Sequence, residues 1–434
     1  MFASDCLSIN DKGHLSIGGL DCIQLAEQYG TPLYLMDEDE IRKNCRAFVN
    51  GINKYYAGKG MVAFASKAFC CKEICRIVGS EGLWLDVVSG GELHTALSAG
   101  FPAGHIIMHG NNKSPVELTQ AIASGVGRIV VDNMFELELV DQLAAAAPGR
   151  AKVKIQLRIK PGVEAHTHDF IRTGQIDSKF GFAIETGEAA KAVEQALSLQ
   201  HLELTGIHCH IGSQILEVDA FREAARVMIA FIADIKEKSG HQMQELNLGG
   251  GFGIRYLPEH NPAPYESYIE AVSKVVLEIC KQRGISVPLI ILEPGRSIVG
   301  PAGITLYTIG AIKEIPNIRT YVTVDGGMAD NPRHALYQSK YEMLLAARPA
   351  APKTGGYTVA GRCCESGDIL GVDIPLPRPS VGETLAVLAT GAYNYAMASH
   401  YNRLPKPAVV MVKDGHSRVV VRRESYEDLI RSDV

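Results

Sequence analysis

The 434-residue sequence has no stretch of eighteen consecutive apolar residues, so a membrane-spanning helix is not expected. Long runs of Lys or Arg are also missing. The 43 basic and 48 acidic residues nearly cancel to a formal net charge of −5, which excludes a nucleic-acid or membrane-surface footprint and leaves a small molecule as the default partner. Met1 to Asp5 offer neither the positive segment nor the apolar core of a signal peptide, so a cytoplasmic location is expected. Ten cysteines are present without the spacing of a disulfide framework. They are scattered, with two adjacent pairs, Cys70-Cys71 and Cys363-Cys364, and suit reduced thiols, one of them catalytic.

What is abundant is apolar sequence in short pieces. Hydrophobic residues make up 46% of the chain, ample for a barrel and a second domain. Between residues 60 and 295, eight apolar runs each end in polar or glycine-rich residues, most of them before a helix-like stretch. They are Val62 to Ala65, Leu85 to Val88, Ile106 to Met108, Ile129 to Val131, Val153 to Ile159, Leu204 to His210, Leu246 to Leu248 and Leu289 to Leu292. Parallel strands need crossover helices, so this rhythm predicts a (β/α)8 barrel of the TIM type, with an open doubly wound sheet as the other arrangement. Phe221, Ala224, Val227, Met228, Phe231, Ile232 and Ile235 follow a helical period from Asp219 to Lys238, and Gly240 stands where that helix stops. The connection from Pro161 to Gly181 is long and rich in His, Asp, Thr and Gly, as binding loops often are.

After Pro294 the pattern turns to strands: Tyr321 to Val324, Tyr357 to Ala360, Leu385 to Leu388, and Val409 to Val412 joined to Val419 to Val421 through Asp414-Gly415. The expected organisation is α/β plus all-β. A barrel spans residues 36–295, and a second domain resembling a β-sandwich or β-barrel is formed by residues 1–35 and 296–434, to which Leu7 to Ile17 adds a hairpin.

Reactive groups of barrel enzymes come from the C-terminal ends of the strands. Here those ends supply Ser66-Lys67, Ser89 to Glu92, His109 to Lys113, Asp132-Asn133, Lys160-Pro161, His208 to Ser213, Gly249 to Gly251, and Glu293 to Arg296. Three glycines after strand seven suit either a tight turn or backbone amides converging on a phosphate. Lys67, at the end of an apolar strand between small residues, is either a surface lysine or a desolvated nucleophilic amine. A strand-end lysine and a phosphate nest in one barrel is the pairing that pyridoxal 5′-phosphate requires. His208 and His210 face one side of a strand, as zinc ligands do, but strands seven and eight add no further His or Asp ligands. An imidazole stacked on a cofactor ring explains His210 as well, with His208 a hydrogen-bonded core residue. Glu293 suits a protonated pyridine nitrogen or a salt bridge to Arg296.

Taken together, Ala65-Ser66-Lys67-Ala68, His208 to Ser213, Gly249-Gly250-Gly251-Phe252-Gly253 and Glu293-Pro294-Gly295-Arg296 resemble the alanine-racemase-like barrel decarboxylases, over nearly the whole chain. The similarity is greatest to the branch acting on diaminopimelate, through His109 to Ser114, Thr173-Gly174, Ser178 to Gly181, Asp325 to Met328, Arg333 with Tyr337, and Cys364-Glu365-Ser366. The resemblance implies a pyridoxal phosphate enzyme that decarboxylates meso-2,6-diaminopimelate. In it Lys67 is the Schiff-base lysine, His210 stacks on the ring and Glu293 meets the pyridine nitrogen. Ser213, Gly249, Gly250, Gly251, Gly295, Arg296 and Tyr393 are implied for the phosphate and cofactor. Arg296, Arg333, Tyr337, Glu365 and Tyr393 are implied for the substrate, and Cys364 as proton donor, with Cys363 assigned to packing. A homodimer that shares its active sites is implied as well.

Arg362 and His334 stand where the family commonly has proline, which puts loop rigidity in question. A decarboxylase of another diamino acid or of a carboxylated polyamine, a non-catalytic regulator and a zinc amidohydrolase are the other functions considered. Retention of Lys67, Cys364 and Glu365 together speaks against the regulator.

Overall fold

The computed structural model describes residue 2 and residues 4–147, 151–163 and 178–434. Its contacts divide the chain into two compact units, one of residues 44–253 and 262–295, the other of residues 1–43, 254–261 and 296–434.

The first unit is a closed parallel barrel. Strands Gly60–Ala65, Trp84–Val87, Ile106–Met108, Arg128–Val131, Val153–Lys160, Leu202–His208, Glu245–Asn247 and Leu289–Leu292 pair in that order, and the eighth pairs back to the first. Each of the eight expected runs is one of these strands. They form strands because short apolar segments covered on both faces bury most of their side chains, and helices such as Lys72–Ser80, Pro115–Ser124 and Tyr265–Arg283 provide that cover. The helix expected from Asp219 spans Val218–Ser239 and ends at Gly240 in the left-handed conformation that glycine tolerates. Ala63, Ile107, Val130 and Ile291 fill part of the interior. A polar chain fills more of it. Arg128 pairs with Glu245, Glu245 accepts from Gln156 at 2.8 Å and from Thr205 at 2.8 Å, and Asn247 donates to Gln156 at 3.2 Å.

The second unit is built on one strand, Gly303–Ile315. Its first part pairs antiparallel with Leu33–Asp37, its middle with Thr384–Val387, and its last part with Arg319–Val324. Leu33–Asp37 also pairs in parallel with Ala408–Lys413, so this early segment is a central strand. Strand alternation sorts the side chains into two cores. Ile304 and Leu306 pack with Leu33, Leu35, Leu344, Leu388 and Val410. Tyr307 and Ile309 pack with Val322, Val324, Met343, Leu345, Leu385 and Val387. Each such fully buried side chain contributes about 1.5–3 kcal/mol relative to exposure. The Asp414-Gly415 hairpin is present, with positive φ at both turn residues.

The N-terminal hairpin belongs to this unit. Leu7–Ile9 and Leu15–Ile17 do pair, but with Leu20–Asp21 they form a separate three-stranded sheet rather than joining the larger one. Leu7, Leu15 and Ile17 pack into the first of the two cores, so apolar burial satisfies the hairpin without a shared ladder. No helix among the described residues is long and apolar enough to cross a membrane.

Candidate functional site

In the barrel unit the ends of strands one and eight lie side by side. Ala65 N donates to Pro294 O at 3.1 Å, and a Cβ on Gly295 would come within 3.0 Å of the methyl groups of Ala65 and Ala68. Between those alanines a single 3-10 turn, Ser66–Ala68, carries Lys67, which is exposed.

Glu293 is the centre of a buried polar cluster. Its Oε1 lies 2.8 Å from His109 Nε2 and accepts from Asn247 Nδ2 at 2.7 Å, and its Oε2 lies 3.1 Å from His208 Nε2. Asp86 stands 3.7 Å behind His109. Burial by itself would raise the Glu293 carboxyl, but His109 and His208 outweigh it and hold the group well below the ordinary carboxylate range. Burial lowers His109 too, yet Asp86 and Glu293 overcome it and raise the imidazole. His208 is pushed down to about 4 by burial, so it is neutral. The result is a fixed anion at the end of strand eight. His109, His208 and Glu293 also have the residue types of a metal set, but each imidazole already spends Nε2 on the carboxylate.

His210 follows strand six and is half-buried; packing and the charge of Lys67 push its imidazole well below the usual value. Gly250 N lies 3.3 Å from His210 Nδ1 and Gly249 N donates to Asn247 Oδ1 at 3.0 Å. Two of the three glycine amides expected to converge on a phosphate are thus engaged inside the chain. The triplet also serves close approach: a Cβ on Gly250 would lie 2.1 Å from Glu293 O. Gly251 and Ser213 are half-buried beside it. Lys113, from the motif after strand three, is a structural residue that pairs with Glu136 at 2.7 Å and donates to Val130 O at 2.8 Å.

The donor set fits pyridoxal phosphate on one decisive count. A fully buried carboxylate held ionised by two imidazoles is the partner a protonated ring nitrogen requires. Exposed Lys67 supplies an amine at the end of the neighbouring strand.

The second unit assembles a different group. Arg296 and Arg333 are both buried among tyrosines. The Arg296 guanidinium donates to Tyr256 Oη and lies 4.8 Å from the Tyr393 ring centre. Arg333 lies 5.3 Å from the Tyr393 ring and 5.8 Å from that of Tyr337, and donates to Ser339 Oγ at 3.2 Å. Its Nε has no partner among the described residues. Burial alone would raise the Tyr256 phenol, but the two arginines lower it. Concentrated positive charge with aromatic walls is the chemistry of a carboxylate or phosphate site.

Cys363 is buried, and burial together with Asp368 pushes its thiol to about 12, so it is inert. Cys364 and Glu365 are exposed, with Cys364 N donating to Asn402 Oδ1 at 2.7 Å. The two departures from proline are accommodated. Arg362 N donates to Gly326 O at 2.9 Å, a bond proline cannot make, and His334 Nδ1 lies 3.1 Å from Ser339 O. Thr173-Gly174 and the start of the His166 segment lie outside the described residues; Gly181, at its end, donates to Asp132 at 3.1 Å.

Sequence reasoning missed several members of these groups. His109 stood among the strand-end residues without a role, and Asp86, Asn247 and Tyr256 were not singled out. For Asp86 and Asn247 the available signal was a polar residue inside an apolar run.

Asp330 adds a pH effect. Buried between Tyr307 and Gly327 N, its carboxyl is pushed up to about 7 by burial. The folded state therefore binds a proton that the unfolded chain releases near pH 4, so stability is greatest below that pH and declines as pH rises toward 7. Asp330→Asn removes this dependence. Its stability against the parent, by urea titration at several pH values, gains on the order of 4 kcal/mol between pH 4 and 8. No gain would contradict the raised carboxyl.

Comparison with known proteins gives concordant results. Residues 38–300 match the family described as "pyridoxal-dependent decarboxylase, pyridoxal binding domain". The chain is 49% identical to the diaminopimelate decarboxylase of Bacillus methanolicus, covering 98% of both chains, and 48% identical to that of Bacillus subtilis, covering 100% of this chain and 98% of the other. Its fold is similar to the crystal structure of diaminopimelate decarboxylase from M. jannaschii in complex with L-lysine. The TM-score is 0.93 at 35% identity, covering 100% of this chain and 99% of that one.

Proposed function

The chain belongs to the pyridoxal-dependent decarboxylases, among the diaminopimelate decarboxylases, and from that membership we infer that it converts meso-2,6-diaminopimelate to L-lysine and carbon dioxide, the last step of lysine biosynthesis. The observation that carries the reading is similarity at nearly half of all positions over nearly the full length of both chains. The enzyme is a carbon-carbon lyase that uses pyridoxal 5′-phosphate.

When bound, the cofactor supplies an electrophilic carbon for the substrate amine and a ring that accepts the electron pair left as carbon dioxide departs. The protein supplies the rest. Lys67 would hold the cofactor carbonyl and take it back when product leaves. Glu293, its charge fixed by His109 and His208, would keep a proton on the ring nitrogen, and His210 would cover the ring face. Ser213, Gly249 to Gly251, Gly295, Arg296 and Tyr393 are assigned to cofactor and phosphate. Arg296, Arg333, Tyr337 and Tyr393 suit the distal carboxylate of the substrate, and Glu365 its ammonium. Cys364 is assigned the return of a proton to the carbon that lost carbon dioxide. Exposure of Cys364 and Glu365 agrees with a homodimer in which their loop completes the site of a second copy. A cytoplasmic location is in keeping with a free amino acid as substrate.

Incubation of the pure protein with meso-2,6-diaminopimelate is expected to release carbon dioxide and L-lysine in equal amounts; release of neither refutes the substrate. For Arg333→Met, KM for diaminopimelate rises about 10- to 100-fold while cofactor affinity stays the same, the scale of losing hydrogen bonds to a charged group. An unchanged KM removes Arg333 from the substrate site.

A further inference from the structure

Two glycine-bearing segments meet around one carboxylate that no part of the reaction scheme uses. Asp368 is buried; its Oδ1 accepts from Met328 N at 2.6 Å and its Oδ2 from Cys363 N at 2.7 Å. The two amides belong to separate segments. One runs from Asp325 through Met328 and includes Gly327, whose carbonyl accepts from Asp330 and Asn331 N at 3.1 and 2.8 Å, shortly before Arg333. The other is the loop carrying Cys364 and Glu365. It is tied again to the first by Arg362 N on Gly326 O, and to Asp368 by Gly361 N on Asp368 O at 2.9 Å.

The fit leaves no room for alternatives. A Cβ on Gly327 would lie 2.5 Å from both Asp368 oxygens, and one on Gly361 would lie 2.2 Å from Oδ2. Contacts under 3 Å to a doubly bonded carboxylate force a shift, so glycine at both positions and Asp at 368 form one unit. A buried carboxylate that accepts backbone amides from two separate segments clamps them to each other, since an amide side chain in its place offers only one oxygen to the two donors.

We propose that Asp368 is a positioning residue for the reaction, holding the Cys364–Glu365 loop in fixed register with the segment that presents Arg333. The proposal rests on the assignment of Cys364 as proton donor. Loss of the clamp lets the thiol leave the line of proton transfer, which lowers kcat without touching the cofactor residues of the barrel unit.

Asp368→Asn tests it with two readouts. In hydrogen exchange, amides of residues 325–330 and of 361–368 are expected to exchange at least tenfold faster together, a result that needs no substrate. In turnover, kcat falls at least tenfold while the visible spectrum and the affinity for pyridoxal phosphate stay at wild-type values. The loss shrinks to less than twofold when Asp368→Asn is introduced into a Cys364→Ala background, because the two act as one unit. Equal losses in both backgrounds, faster exchange in only one segment, or a variant that fails to fold to the wild-type spectrum would each overturn the proposal. A wild-type protein that binds the cofactor but does not decarboxylate diaminopimelate refutes the functional reading instead, and leaves the exchange result to judge the clamp.

Discussion

Lys67→Ala yields a colourless protein whose release of carbon dioxide from diaminopimelate falls at least about 10³-fold, the scale on which loss of a covalently acting residue is felt. The variant is unusually clean. Lys67 is exposed on a one-turn 3-10 segment, so its truncation removes no packing, and stability stays within about ±0.5 kcal/mol of wild type. Activity and melting temperature therefore separate, which they rarely do for a group at a barrel end. Borohydride reduction of the wild type bleaches the visible band and leaves a pyridoxyl group on the peptide containing Lys67. A label mapped to another lysine would remove Lys67 from its role, and stoichiometric zinc in a colourless wild type would revive the amidohydrolase reading.

Glu293 should separate charge from packing. In Glu293→Ala, His109, His208 and Asn247 lose their common partner in a fully buried place, and Asp86 remains beside His109. Breaking a buried charge cluster on one side costs about 3–5 kcal/mol, several degrees of melting temperature. Glu293→Gln keeps the shape and an acceptor for Asn247 but loses the charge. Its fold survives, while kcat falls about 10²- to 10³-fold because the ring nitrogen has no anion to hold its proton.

The two variants also differ in acid. The wild-type carboxyl titrates well below its unfolded value near 4.5, so it contributes stability above that pH and loses it as pH falls further. Glu293→Gln is therefore less sensitive to acid unfolding below pH 4.5 than wild type, as circular dichroism would show. Equal sensitivity would mean that the imidazoles do not hold the charge.

The barrel was legible because each of its strands is a short apolar run closed by polar residues, a pattern that local sequence writes directly. Lys67 and Glu293 stood out for the same reason, each being the first chemical group after such a run. The partners of Glu293 were not legible. His109 is 184 positions away in sequence, and only the closure of eight strands into a ring brings its Nε2 to 2.8 Å. In the sheet unit Leu33–Asp37 gave no strand signal, since every residue of Leu-Tyr-Leu-Met-Asp is buried and nothing alternates. Tyr256 was hidden by its place in the chain, within a stretch that reads as part of the barrel yet groups with the sheet. Cys363 and Cys364 could be ordered only by their neighbours in sequence, whereas burial separates them at once.

The central position of Leu33–Asp37 has a bearing on biogenesis. Its two ladder partners are Gly303–Ile315 and Ala408–Lys413, so one edge waits for residue 303 and the other for residue 408. At translation speeds of 5–20 residues per second, a strand of five buried residues stands unpaired for roughly 13–54 seconds while the intervening barrel is made. During that interval it is an apolar strand with both edges open, the form most prone to pairing with the wrong chain. Expression yield at high ribosome density should thus depend on how quickly the nascent N-terminus is shielded. A circular permutant that starts at Gly300 and joins the old termini would make Gly303–Ile315 first and shorten the wait on both sides.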